Sequence, residues 1–147
     1  MKQLLFIAGL LSFTLACSSE KTTEMTETPT TYSFLVGTYT DDASQGLNQL
    51  DFTPSENKLE IRTIFPGIQN PSFVLANSGG DKVYSLEEID KVPGGNVVSF
   101  DRSLDDSLLN KLSELPSLGD HPCHLALSPD ERFLTVSNYS GGSFSAY

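Results

Sequence analysis

The chain repeats itself. Asn70 to Phe100 (NPSFVLANSGGDKVYSLEEIDKVPGGNVVSF) and His121 to Tyr147 (HPCHLALSPDERFLTVSNYSGGSFSAY) follow one template. Pro71 and Pro122 open the two copies, and a gap-free offset of 51 residues sets Phe73 on His124, Val74 on Leu125, Val83 on Leu134 and Leu86 on Ser137. The pairs Gly94-Gly95 and Gly141-Gly142 align at an offset of 47, because the intervening loop is four residues shorter in the second copy. A period near fifty, built of short β-type runs and Gly/Pro turns, is the signature of a propeller blade rather than of a helical repeat.

Strand signals recur along the chain at nearly regular intervals. Ser33–Thr38, Leu47–Phe52 and Lys58–Ile64 form a first set of three. Ser72–Ala76, Lys82–Leu86, Asn96–Asp101 and Leu109–Leu115 form a set of four, and Cys123–Leu127, Arg132–Ser137 and Ser143–Tyr147 a last set of three. Alternation within the runs is loose, as expected of sheets whose two faces both pack on neighbours. Leu104 to Leu115 (LDDSLLNKLSEL) also carries helical amphipathicity, but the repeat requires a fourth strand there, so an outer strand is predicted. Ser78-Gly79-Gly80-Asp81 and Ser128-Pro129-Asp130-Glu131 occupy equivalent places between first and second strands and solve one hairpin problem differently, by positive φ at Gly and by preset φ at Pro. Pro71 and Pro122 fall just before the innermost strand, where no ladder donor is lost.

The first seventeen residues obey other physics. Lys2 supplies a positive start, Leu4 to Leu15 an apolar stretch of 12 residues, and Ala16 a small side chain before Cys17. The stretch is too short to span a membrane and reads as a secretory signal. The setting of Cys17 resembles a bacterial lipobox, whose Cys is lipid-modified, although Thr14 stands where that pattern prefers Leu. This implies a lipid-anchored protein of the bacterial cell envelope. Residues 18–31 (SSEKTTEMTETPTT) are polar, lack apolar periodicity and are predicted to be a disordered tether. With Cys17 lipidated, Cys123 is the remaining thiol, expected to be a small buried hydrophobe on its strand.

Charge narrows the partners. The formal net charge is −10, from 19 acidic and 9 basic residues, and no cluster of Lys or Arg could neutralise the phosphates of a nucleic acid. An acidic surface is also the ordinary means of keeping a β-rich protein soluble.

One set of residues resembles a known family. Gly37-Thr38-Tyr39-Thr40, Ser44-Gln45-Gly46-Leu47, Asn70-Pro71-Ser72-Phe73 and Pro122-Cys123-His124-Leu125 stand in the order and spacing of the seven-bladed propeller lactonases. The run continues through Ser128-Pro129-Asp130 to Ser137-Asn138-Tyr139-Ser140-Gly141-Gly142. That family includes the propeller-type 6-phosphogluconolactonases. The resemblance covers Phe34 to Tyr147 and implies an all-β, incomplete propeller of four-stranded antiparallel blades over 32–147, two to three of an expected seven. The segment is expected to be the N-terminal part of a longer polypeptide, inactive by itself. One departure stands out: the family closes the second strand of its first Asn-Pro-Ser-Phe sheet with Asn-Glu, and here Glu87-Glu88 stands there, so only Glu88 matches.

The resemblance implies a hydrolase that opens an aldonolactone with activated water. Such chemistry needs a base for the water, a donor for the carbonyl oxygen as it gains charge, and groups that hold the sugar acid. His124, on an innermost strand, and Glu88 are the candidate catalytic residues; Asn138 and Tyr139, at second-strand ends, are the candidate substrate-binding residues. Each has a structural alternative. Phe73 occupies the slot equivalent to His124, so a packed aromatic suffices there, and the other three could cap loops. His121 is expected in a connecting loop.

No cofactor or metal is implied, for the chain has no Gly-x-Ser-x-Gly, no His-Glu-x-x-His, no phosphate loop and no Cys pair. Arg62, Arg102 and Arg132 fall one to a sheet rather than together, and a sugar phosphate would seldom meet an envelope protein. An unphosphorylated lactone is therefore the better expectation. The alternative is a surface-anchored propeller that binds a ligand or protein without catalysis.

Overall fold

The computed structural model describes residues 28–90, 94–103 and 108–147. The leader, Cys17 and most of the tether lie outside the described residues, as do residues 104–107 of the stretch with mixed signals. Ten strands follow: β1 (Tyr32–Val36), β2 (Gly46–Thr53), β3 (Lys58–Pro66), β4 (Val74–Ala76), β5 (Lys82–Leu86), β6 (Asn96–Arg102), β7 (Leu109–Pro116), β8 (Pro122–Leu127), β9 (Leu134–Asn138) and β10 (Ser143–Ala146). They form three antiparallel sheets, β1-β2-β3, β4-β5-β6-β7 and β8-β9-β10. The three, four and three of the sequence pattern are all present, and β7 is the expected outer strand.

Each face of the middle sheet is covered along its inner strands, whereas β7 is largely exposed. Val83, Val98, Phe100 and Leu109 pack against Leu47, Ile64 and Ile68 of the first sheet and the link that follows it. Alternate positions, Leu86 and Val97, pack against Leu125, Leu134 and Val136 of the third sheet. Sheets stacked face to face in chain order, with β4 touching both β1 and β8, make the molecule an incomplete β-propeller. The loose alternation of the middle strands has this cause: neither face looks at water.

Register adds a fact that the sequence pattern does not contain. Gly46 pairs Pro66 as Asn96 pairs Pro116, and the Gly67 N–H donates to the Gln45 carbonyl (2.9 Å) as that of Ser117 does to Gly95 (2.8 Å). Thus β2 and β3 correspond to β6 and β7. Val36 then faces Asn48 as Ser85 faces Val98, so β1 corresponds to β5, the second strand of a blade, and not to the innermost β4. Consistently, β1 packs on β4 as β5 packs on β8. Among the described residues the innermost position of the first sheet is unfilled. Its outer face carries Phe34 and Leu59, 53% and 60% exposed, at positions whose middle-sheet equivalents, Val83 and Leu109, are buried.

The two ends of the sheets are built differently. At one end lie hairpin turns held by their own side chains: Ser128 Oγ accepts the N–H groups of Arg132 and Phe133, and Asn77 Oδ1 accepts that of Lys82. Hydrogen bonds from Asn77 and Ser128 lower the Asp81 and Asp130 carboxyls from their ordinary pKa by favouring the charged form. The Glu131 carboxylate, on a residue with φ of 56°, accepts the Ser78 N–H and ties the turns of the second and third sheets together. The opposite end, where second strands finish and links between sheets cross, holds the candidate site.

Candidate functional site

Close approach of the first two sheets begins at Gly37. A Cβ built there would lie 1.8 Å from the Pro71 carbonyl oxygen, so only glycine lets the chain after β1 run against the start of the next blade. Thr40 is then locked to Asn70, which lies in the left-handed region at φ 46°: the Thr40 N–H donates to Asn70 Oδ1 and the Asn70 N–H to Thr40 Oγ1, each at 3.0 Å. The Asn70 carbonyl accepts the Glu88 N–H (3.1 Å), and Asn70 Nδ2 reaches the Glu88 carbonyl (3.3 Å). One asparagine thereby fixes Glu88 relative to the first sheet.

Both oxygens of the Glu88 carboxylate are engaged. The Tyr39 hydroxyl donates to Oε1 at 2.9 Å, and the Ser72 hydroxyl donates to Oε2. The hydrogen bond to Glu88, helped by desolvation and the negative charge of the carboxylate, holds the Tyr39 phenol above its ordinary pKa. Glu87, the departure from the family pattern, is a brace. Its oxygens accept the Gln69 N–H (3.1 Å) and Asn96 Nδ2 (2.7 Å).

The other candidates flank the same segment. His124 is exposed on β8, paired across with Ser137, and its ring leans on Phe73 with centroids 4.7 Å apart and planes at 58°. Neither ring nitrogen has a hydrogen-bond partner among the described residues. Ser72 thus touches Glu88 while its neighbour Phe73 touches His124, so one dipeptide at the start of β4 brings the two catalytic candidates to the same axial end.

Tyr139 is 81% exposed, and its N–H donates to the His121 carbonyl as that of Glu88 does to Asn70. Tyr39, Glu88 and Tyr139 accordingly hold one equivalent position in three successive sheets. His121 lies in the connecting loop as expected, at φ 50° with Nδ1 2.7 Å from Ser140 Oγ.

Two sequence expectations meet a different environment. Asn138 corresponds by register to Glu87 and is 2% exposed; its Nδ2 donates to the Ser117 carbonyl and the Ser143 hydroxyl, and a Cβ on Gly119 would collide with it. Its amide is turned into the link between sheets. Cys123, expected to be buried, is half-exposed at a bulge in β8, with Sγ 3.7 Å from the Ser137 carbonyl. The bulge interrupts the alternation that would have turned it inward.

Charge is segregated at this end. Asp41, Asp42, Glu87, Glu88, Asp90 and Asp120 lie in its loops. Of the described cations, Lys82 pairs Asp81 and Asp101, Arg132 pairs Asp130, Lys58 pairs Glu60 and Arg102 reaches Gln49, whereas Lys111 pairs Glu114 on β7 and lines a small cavity with Glu87. A cleft of about 270 Å³ lined by Thr40, Asp41, Asp42, Ala43, Gly67, Ile68 and Gln69 opens at this end between the loop that joins β1 to β2 and the link that follows β3.

Residues 33–147 match the family model described as Lactonase, 7-bladed beta-propeller. The chain belongs to the seven-bladed β-propeller lactonase family. Among relatives, a 6-phosphogluconolactonase of Bacillus subtilis is 26% identical over 113 residues, covering 77% of this chain and 32% of the relative. Among solved structures, a candidate 6-phosphogluconolactonase of Bacteroides fragilis superposes with a TM-score of 0.66 at 28% identity, over 78% of this chain and 31% of that one. A periplasmic gluconolactonase of Pseudomonas aeruginosa gives 0.65 at 25%, over 74% and 31%. The chain thus spans about a third of the length of these propeller lactonases.

Tyr39, Ser72 and Asn70 escaped the sequence reading as site residues, although Gly37-Thr38-Tyr39-Thr40 and Asn70-Pro71-Ser72-Phe73 are among the motifs of the lactonase family. The signal that finds Tyr39 is the correspondence of β1 with β5. Once Gly37 is set on Leu86, Tyr39 falls on Glu88.

Proposed function

We propose that the polypeptide is a lactone hydrolase that opens the ring of an aldonolactone. The observation that carries this reading is a glutamate whose two oxygens each accept one hydroxyl, at the axial end of a lactonase-family propeller. In it, the Glu88 carboxylate takes a proton from a water whose oxygen bonds to the lactone carbonyl carbon. His124, with its ring open to solvent, donates to the carbonyl oxygen as that oxygen gains charge. As the tetrahedral species collapses, the bond from the carbonyl carbon to the ring oxygen breaks. The proton passes to that oxygen, leaving an open-chain hydroxy acid. Tyr139 is the residue for substrate hydroxyls, and Asn138 acts indirectly by holding the link from Ser117 to Gly119.

Charge bears on the substrate class. Carboxylates outnumber the described cations near the site end, where Lys111 is held by Glu114 and feels Glu87, and this favours an unphosphorylated lactone over a sugar phosphate. The test is turnover of glucono-δ-lactone, with and without a 6-phosphate, by the whole polypeptide. Ring opening faster than the spontaneous rate is expected, and acceleration of neither substrate sinks the enzymatic reading. Tight binding of the lactone without turnover would instead mark a ligand-binding propeller. The 147 residues alone are expected to be inactive, since the part of them that matches covers about a third of the relatives' length.

Anchoring through lipidated Cys17 belongs to the same proposal, and the likeness to a periplasmic gluconolactonase supports an envelope location. Cys17→Ser is expected to move the protein from the membrane fraction to the soluble one. An unchanged distribution removes the anchor.

A further inference from the structure

Glu88 could serve as a base without help from its neighbours, so the two hydroxyls on it call for an explanation. They come from separate parts of the fold: Tyr39 follows β1 in the first sheet, Ser72 precedes β4, and Glu88 follows β5. Each takes one carboxylate oxygen and leaves that oxygen a further lone pair for a water. A free glutamate has three rotatable side-chain bonds, and donors on both oxygens hold its carboxylate in one orientation at the cost of that freedom.

The clamp is poorly placed to serve stability. Tyr39 is 66% exposed, and a hydrogen bond at so wet a position contributes little to folding. The Gly37 contact and the Thr40–Asn70 pair already dock the first sheet on the second. Orientation of the carboxylate is what remains for the phenol to do. We propose that Tyr39 and Ser72 are positioning residues that aim the Glu88 carboxylate at the axial end, so that the base is assembled only where the first and second sheets meet. This rests on Glu88 being the base of the lactone hydrolase.

The experiment uses the whole polypeptide and two readouts. In turnover, Tyr39→Phe and Ser72→Ala are each expected to lower kcat about tenfold with KM unchanged, and Ser72→Thr to restore it. In a Glu88→Gln background neither substitution should lower kcat further, because they act only through that carboxylate. A loss of the same factor in that background, a change confined to KM, or an unchanged kcat in both single variants overturns the positioning role. The second readout does not need activity: the alkaline titration of Tyr39, followed by NMR on ring-labelled tyrosine, is expected to move to lower pH in Glu88→Ala. No movement means the contact does not form in solution and overturns the proposal. A normal titration shift in a protein that opens no lactone leaves the contact as a structural tie, and then the functional reading has failed rather than the geometry.

Discussion

Glu88→Gln should lower kcat for lactone opening by about 10²–10³-fold, the range expected when a general base is removed. Glutamine keeps the length and shape of the side chain. Its carbonyl can still accept the Tyr39 hydroxyl, and its amide can donate to Ser72 Oγ, so the local structure is expected to survive while the base is lost. The KM should change little, because the substitution removes an interaction made in the transition state rather than one that holds the sugar. Steady-state kinetics checks this directly. A kcat within threefold of the parent would show that Glu88 braces the loop and that the base lies elsewhere. His124→Ala would then be the next variant, with the Phe73 ring left in place as its packing partner.

The largest loss of stability is expected at Phe100→Ala, at about 3–5 kcal/mol. Phe100 is fully buried between the first and second sheets, edge-on to Phe65 with centroids 4.8 Å apart and planes at 64°, among Leu47, Ile64, Val83, Val98 and Leu109. Removing the ring leaves a cavity that stiff, paired strands cannot close. The loss is a large part of the 5–15 kcal/mol that holds a typical domain together. Urea unfolding measures it, with Leu112→Ala on the exposed face of β7 as a control expected to stay within about 0.5 kcal/mol. A cost below about 1 kcal/mol for Phe100→Ala would mean that the two sheets do not dock as described. The same interface brings Tyr39 to Glu88, so this packing and the candidate site stand or fall together.

Much of this was legible along the chain because β-structure leaves local marks. Turn residues such as Ser78-Gly79-Gly80 and Ser128-Pro129-Asp130 delimit strands wherever they occur, and the offset of 51 sets His124 on Phe73 before any coordinates are known. The burial of Asn138 and the half-exposure of Cys123 were not legible. The first depends on a glycine from another segment, Gly119, making room for an amide, and the second on a bulge that one residue produces in a ladder. Neither has a periodic signature.

By itself the sequence determined the strands, their grouping into three, four and three, the outer strand at Leu109, and the family. These follow from alternation, turn chemistry and repeat spacing, all of which act over a few residues or between copies of one template. Only the tertiary structure decided that β1 is a second strand rather than an innermost one, and that Tyr39 and Ser72 converge on Glu88. Those contacts join residues up to 49 positions apart. They form through the packing of one sheet on the next, to which no local pattern of side chains refers.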